Sequence, residues 1–138
     1  KRTKLDAIFS ELVRERANWT CERCGKYYPE GSRMGLHCSH IHSRRHAATR
    51  THPFNAVAHC YACHQWYGGN PVLGGRWAES HLGKERIGVL DGLLRRPIKI
   101  TKAEKEAAYQ HYKKELSRLR NLRQMGKVGR LEFEGWQK

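Results

Sequence analysis

Carboxylates are scarce in this chain: 13 Asp and Glu stand against 27 Lys and Arg among 138 residues, a formal net charge of +14. Such a balance fits a polyanion, most often nucleic acid, because displaced phosphate counterions drive binding. A solvated basic surface or an anionic membrane face is the rival reading of charge alone. Long apolar runs are missing too, and nothing approaches the roughly 20 residues that a membrane-spanning helix needs. The opening "KRTKLDAIFS" has basic residues but no apolar core of signal-peptide length. The protein therefore reads as cytoplasmic with no membrane partner, in a compartment where thiols stay reduced and paired cysteines point to metal. Internal repeats are absent apart from two cysteine pairs, and the length suits one compact domain, 1–138.

What is present falls into four stretches. Residues 1–18 read as an N-terminal helix, with Leu5, Ile8, Phe9, Leu12 and Val13 on one face. Thr3 with Asp6 gives a capping signal, and Asn18 before "WTC" suits a stop. This helix is expected to pack on the cysteine-rich core and keep its Lys and Arg on the wet side. Residues 19–70 are dominated by Cys, His, Gly and aromatics, a composition that cannot order itself by apolar burial and needs a metal. There "GLHCSHI" reads as a short strand and "VAHCYACHQWY" as the entry to a helix. Residues 71–125 form a helical extension: "VLGGRWAESHL" and "KERIGVLDGLL" divide at Gly83, and Pro97 ends the run. Thr101 and Glu104 make a capping box that opens a long helix to about Met125. Its Tyr109, Tyr112, Leu116 and Leu119 form a seam, for the protein's own core or for pairing two chains. Residues 126–138 are a tail that reads either as a final strand or as a loose arm.

Cys21 and Cys24 in "CERC" match Cys60 and Cys63 in "CYAC". Two such knuckles supply four thiolates, the tetrahedral sulfur set that zinc prefers. The 35 residues between them leave room for a hairpin with a purpose of its own. Disulfides and a redox pair are the alternatives. Cys38, the fifth cysteine, is expected on the strand face opposite His37, packed inside.

The segment His37–His64 also holds seven histidines in 28 positions. Asn55 follows His40 by fifteen residues, and His64 follows Asn55 by nine, directly after the second knuckle. His40, Asn55 and His64 interleaved with "CERC" and "CYACH" resemble the zinc-knuckle branch of the HNH nucleases. The segments "LHCSH", "RRHAATR", "FNAVAHCYACHQW" and "GGNP" resemble phage recombination nucleases of the NinG (Rap) type. The resemblance covers residues 19–70. It implies a ββα-metal HNH core; with the four-cysteine zinc site and the N-terminal and C-terminal helices read above, the expected fold is α+β. It implies His40 as general base, Asn55 as the holder of the hairpin loop, and His64 as ligand of a catalytic divalent ion. HNH proteins usually place an acidic or histidine ligand directly before the base, where this chain has Ser39. His37 is the expected replacement, and a two-histidine set admits Mn, Ni, Co or Zn beside Mg. His42, His46, His52 and His59 are expected at the surface or on the phosphate side, with His59 beside the knuckle as a further option. Arg44, Arg45 and Arg50 flank the loop, where they read as phosphate clamps or as solvated surface.

Two functions of different class follow. One is a metal-dependent DNA endonuclease of low sequence preference, nicking or acting on branched or junction DNA, in the host cytoplasm if phage-encoded. Dimerisation would let two single-strand sites cut a duplex. The other is a zinc-stabilised DNA-binding or recombination-accessory module without catalysis. An RNA-binding zinc protein would share the charge and the knuckles, yet leave the Asn55 and His64 spacing unexplained.

Overall fold

A computed structural model describes residues 1–137; the last position of the tail, Lys138, lies outside the described residues. Among the described residues the fold is mixed α+β, with five α-helices and one two-stranded antiparallel sheet. No described helix is long and apolar enough to cross a membrane.

Helix α1 runs Lys4–Arg16. Its capping box is complete: the Asp6 backbone N–H donates to Thr3 Oγ1 at 3.3 Å, and the Thr3 N–H donates to Asp6 Oδ2 at 2.8 Å. These bonds satisfy donors that a helix start otherwise leaves open. Phe9, Leu12 and Val13 are buried, as the spacing predicts. Beyond the helix Asn18 and Trp19 both take positive φ, at 55° and 56°. Asn tolerates that region; Trp19 is held there by burial and by its Nε1–H donating to Glu15 Oε2 at 3.1 Å.

The expectation that the basic residues of α1 stay wet is wrong for two of them. Arg14 and Arg16 are 4% and 3% exposed. The hairpin backbone explains it, because unpaired carbonyls near a short sheet need donors. Arg14 Nε donates to Leu36 O at 2.7 Å, while Arg16 donates to Pro53 O at 2.7 Å and Ala56 O at 2.6 Å. Their stems cover the apolar interior and their heads serve as backbone props.

Strands β1 (Leu36–His40) and β2 (Ala56–Cys60) pair antiparallel, with Leu36 opposite Cys60 and His40 opposite Ala56. Alternation then sorts the side chains. Leu36, Ala56, Ala58 and Cys60 join Phe9, Leu12 and Val13 in the core, with Cys38 packed against it. His37, Ser39, Val57 and His59 take the opposite face, toward α2 (Tyr61–Gly69) and α3 (Pro71–Leu82). Gly83, at φ 94°, separates α3 from α4 (Lys84–Leu94) as read from the sequence.

Helix α5 spans Lys102–Gln124 behind the Thr101–Glu104 capping box. Its Tyr112, Leu116 and Leu119 are buried in the protein's own core, joined by Ala108. Tyr109 sits at the edge, with the Lys4 ammonium 4.4 Å from its ring centroid. The seam is thus used inside the chain. Tyr112 Oη donates to Thr51 O at 2.6 Å and accepts from the Trp136 N–H at 3.1 Å, joining α5 to the hairpin loop and the tail. Among the described residues the tail forms neither a strand nor a loose arm. It is an extended strap, anchored by buried Phe133 against Phe9 and Tyr112 and by the Leu131 N–H donating to Arg16 O at 3.0 Å. A Cβ on Gly135 would meet Pro53 Cδ at 2.9 Å, so the strap crosses the loop where only glycine fits.

Candidate metal centre and histidine cleft

The ligand sulfurs of Cys21, Cys24, Cys60 and Cys63 all lie within 4.8 Å of one another. The first knuckle follows α1; the second closes β2 and opens α2. In each, the backbone N–H of the second cysteine donates to the sulfur of the first, at 3.5 Å for Cys24 and 3.4 Å for Cys63. Burial opposes ionisation of Cys21, but N–H groups of Cys24, Cys60 and Arg23 outweigh it and hold the thiol down at about 7. Cys63 is pushed up to about 12, chiefly by burial, so four thiolates this close need a cation between them. Sulfurs about 2.3 Å from one tetrahedral ion lie about 3.8 Å apart. The Cys24 and Cys60 sulfurs are separated by 3.8 Å. The four cysteines form a cluster fit for one zinc, and no disulfide joins them. Cys38 stays out of it, on the core side of β1, where burial raises its thiol.

His37, His40 and His64 share a second place, a cleft of about 490 Å³ at the edge of β1. His37 leaves the strand on the α2 side and His40 on the α1 side, so they meet only at that edge. The Nδ1 atoms of His37 and His64 face each other at 2.9 Å. His37 Nε2 lies 2.8 Å from Met34 O, and a carbonyl only accepts, so a neutral His37 presents a bare Nδ1 to His64. Burial, then the neighbouring His37, lowers His64. Two imidazole nitrogens each about 2.1 Å from one ion and about 2.9 Å apart subtend about 90°, so the pair fits as adjacent ligands of a divalent ion.

His40 lies 6.2 Å from the Phe9 ring. Burial and then Arg44 push its imidazole down to about 4, while a hydrogen bond to the Arg50 backbone works weakly the other way. It is therefore neutral at pH 7. Asn55 is fully buried; its Oδ1 accepts from the His42 N–H at 2.8 Å and its Nδ2 donates to His42 O at 3.0 Å. With the Ile41 N–H donating to Asn55 O at 2.8 Å, this closes the long loop directly behind His40.

The three loop arginines differ. Arg44 borders the cleft and Arg45 is exposed. Arg50 forks onto Asp6 at 2.8 and 2.6 Å and donates to Lys1 O and Arg44 O, which makes it a tether between loop and α1. Sequence reasoning missed Arg2, Arg14 and Arg33, which border the same cleft, and no carboxylate lines it among the described residues. His59 lies beside the knuckle, one of the two places expected for it, and not at the surface. That residue is fully buried against His64, Tyr67 and Trp77, and neither ring nitrogen has a partner among the described residues. Ser39, on the same face, is 1% exposed, and its hydroxyl is unpartnered among the described residues. Two of the remaining loop histidines have local duties: His42 Nε2 meets Asp91 Oδ1 at 3.2 Å, and His52 Nδ1 accepts from the Phe54 N–H at 3.0 Å. No family model, curated protein or solved structure matches the chain.

Proposed function

We propose that the protein is a metal-dependent endonuclease of the HNH type, hydrolysing phosphodiester bonds in DNA one strand at a time. The observation that carries the reading is the facing His37–His64 pair beside a neutral His40, in a cleft bordered by arginines and by no described carboxylate. The charge of +14 favours DNA, and the resemblance to NinG-type phage nucleases favours nicking or action on branched recombination intermediates.

In this reading His40 takes a proton from the attacking water, for which its imidazole must be unprotonated and free on one nitrogen. Asn55 fixes the loop behind it. His37 and His64 would hold the divalent ion, whether Mg, Mn, Ni or Zn, which supplies Lewis-acid stabilisation of the phosphate and of the leaving 3′ oxygen. Arg44 and the other arginines bordering the cleft would balance phosphate charge. The zinc of the four cysteines has no chemical role here and holds the hairpin in shape.

The test is plasmid cleavage with Mg, Mn, Ni or EDTA, beside His40→Ala. Metal-dependent nicking that disappears in His40→Ala supports the nuclease. A second reading, a zinc-stabilised DNA-binding or recombination-accessory module, draws on Ser39: its hydroxyl is buried, and the position before the base offers no ligand. DNA binding by both proteins with no cutting under any ion would favour that module.

A further inference from the structure

Glu11 sits on α1 behind the cleft wall, its side chain only 13% exposed. Its Oε1 accepts from Arg33 Nε at 2.6 Å and from Arg14 Nη1 at 3.3 Å. Its Oε2 accepts from Arg33 Nη2 at 3.0 Å and from Arg120 Nη2 at 3.4 Å. One carboxylate thus gathers three guanidinium groups from three segments: α1, the loop before β1, and α5. Two of them, Arg14 and Arg33, border the histidine cleft.

The three are not equivalent. Arg14 is buried and also bound to Leu36 O, so it cannot leave. Arg33 is 58% exposed, and among the described residues its fork rests on Glu11 alone. A fork laid on both carboxylate oxygens has the geometry that a guanidinium uses on two phosphate oxygens. A carboxylate with a single arginine would resist losing it, since an unpaired charge would stay behind in a nearly buried place. Glu11 escapes that penalty because Arg14 and Arg120 remain on it.

We infer that Glu11 is a positioning residue for a polynucleotide: it holds Arg33 at the mouth of the cleft and releases that fork to a backbone phosphate flanking the one that reaches His37, His40 and His64. Arg14 and Arg120 keep the carboxylate neutralised after the exchange. No covalent bond is made or broken in it. The inference rests on the polynucleotide reading above and adds a named phosphate contact.

The experiment measures binding of a fluorescent duplex oligonucleotide across a salt series, using zinc-loaded full chain carrying His40→Ala so that nothing is cut. Arg33→Ala is expected to reduce the slope of log K against log salt by about 0.9, the loss of one phosphate contact. Arg33→Gln checks that result with a side chain of similar length. Glu11→Gln is expected to bind as tightly as the parent or tighter, because it removes a negative charge. In an otherwise wild-type chain, however, it should slow cleavage at saturating DNA by about tenfold or more, as misplacement does. A merely structural Glu11 would lower the melting temperature and leave cleavage per folded molecule unmoved. An unchanged slope in both Arg33 variants, with cleavage intact in the wild type, overturns the phosphate transfer alone. A reduced slope with no cutting by the wild type overturns the nuclease reading and keeps the transfer.

Discussion

A general base must arrive at neutral pH without the proton it is to take, and His40 meets that condition through its surroundings. Burial and Arg44 hold it at about 4, so the acid limb of cleavage should lie far below the ordinary histidine value of about 6.5. The value of kcat/KM should therefore stay level as pH falls through about 6.5 and drop only toward about 4, the range in which His40 gains its proton. Arg44→Ala removes the largest of the charge contributions that lower it and should shift that limb upward. A limb at about 6.5 in the parent protein, unmoved by Arg44→Ala, would remove His40 from the role of base. The same scale separates two neighbouring arginines. Arg50 is committed to Asp6, a carboxyl whose ionisation burial opposes and which Arg50 and Thr3 nonetheless hold well below the usual range. Arg50→Ala should thus lower stability by about 2–4 kcal/mol in chemical denaturation, as loss of one partner of a buried pair does, and leave the salt slope of DNA binding unchanged. Arg44→Ala should do the reverse.

Elements carry the next step, because the proposed base, at the end of a strand, is only as well placed as the loop that follows it. The loop from Ile41 to Asn55 is long for a hairpin, and Asn55 gives it a fixed start by bonding both backbone groups of His42. Asn55→Ala should cost about 1–3 kcal/mol, the usual penalty for stranding buried polar groups, and speed amide exchange at His42. Cleavage should fall far more than folding does; equal losses in both would reduce Asn55 to a fold residue. Which elements were legible follows from the range of their signals. The caps at Thr3 and Thr101, the break at Gly83 and the knuckle spacing are local patterns, and each appears where the sequence puts it. The burial of Arg14 and Arg16 was illegible, since their carbonyl partners lie 22 to 40 residues away and nothing near them announces the need. The grip of Glu11 on Arg33 and Arg120 has the same cause. The depth of His59 was half legible: its neighbour Cys60 puts packing beside the knuckle among the options, but the strand register that turns it under α2 and α3 is no local pattern.

For the whole molecule, the four-cysteine cluster reaches further than its own ligands. Glu22, inside the first knuckle, is nearly buried, and three separate parts of the chain converge on it. It accepts from the Ala58 N–H at 2.7 Å, from Arg130 Nη1 at 2.9 Å, and lies 2.7 Å from His81 Nε2. The knuckle thereby fastens β2, α3 and the C-terminal strap together. Burial alone would raise the Glu22 carboxyl, but His81, Arg130 and Arg16 prevail and hold it at about 2, so the carboxylate is charged at neutral pH. Removing the metal should loosen all of these links, since thiols at such distances either reprotonate or move apart. Purified protein is expected to carry one zinc per chain by atomic absorption. Chelation under mild heating should lower the melting temperature by about 10 °C or more, the scale of losing several kcal/mol in a domain of this size. Hydrogen exchange should then rise in α3 and around Arg130 as well as in the knuckles. Cys24→Ser, at the most exposed ligand, should reproduce that pattern in a milder form. If chelated protein kept its melting temperature, or if exchange rose only between Cys21 and Cys24, the cluster would be a local ornament of the turn, and the hairpin that carries His37 and His40 would be held by α1 and α5 alone.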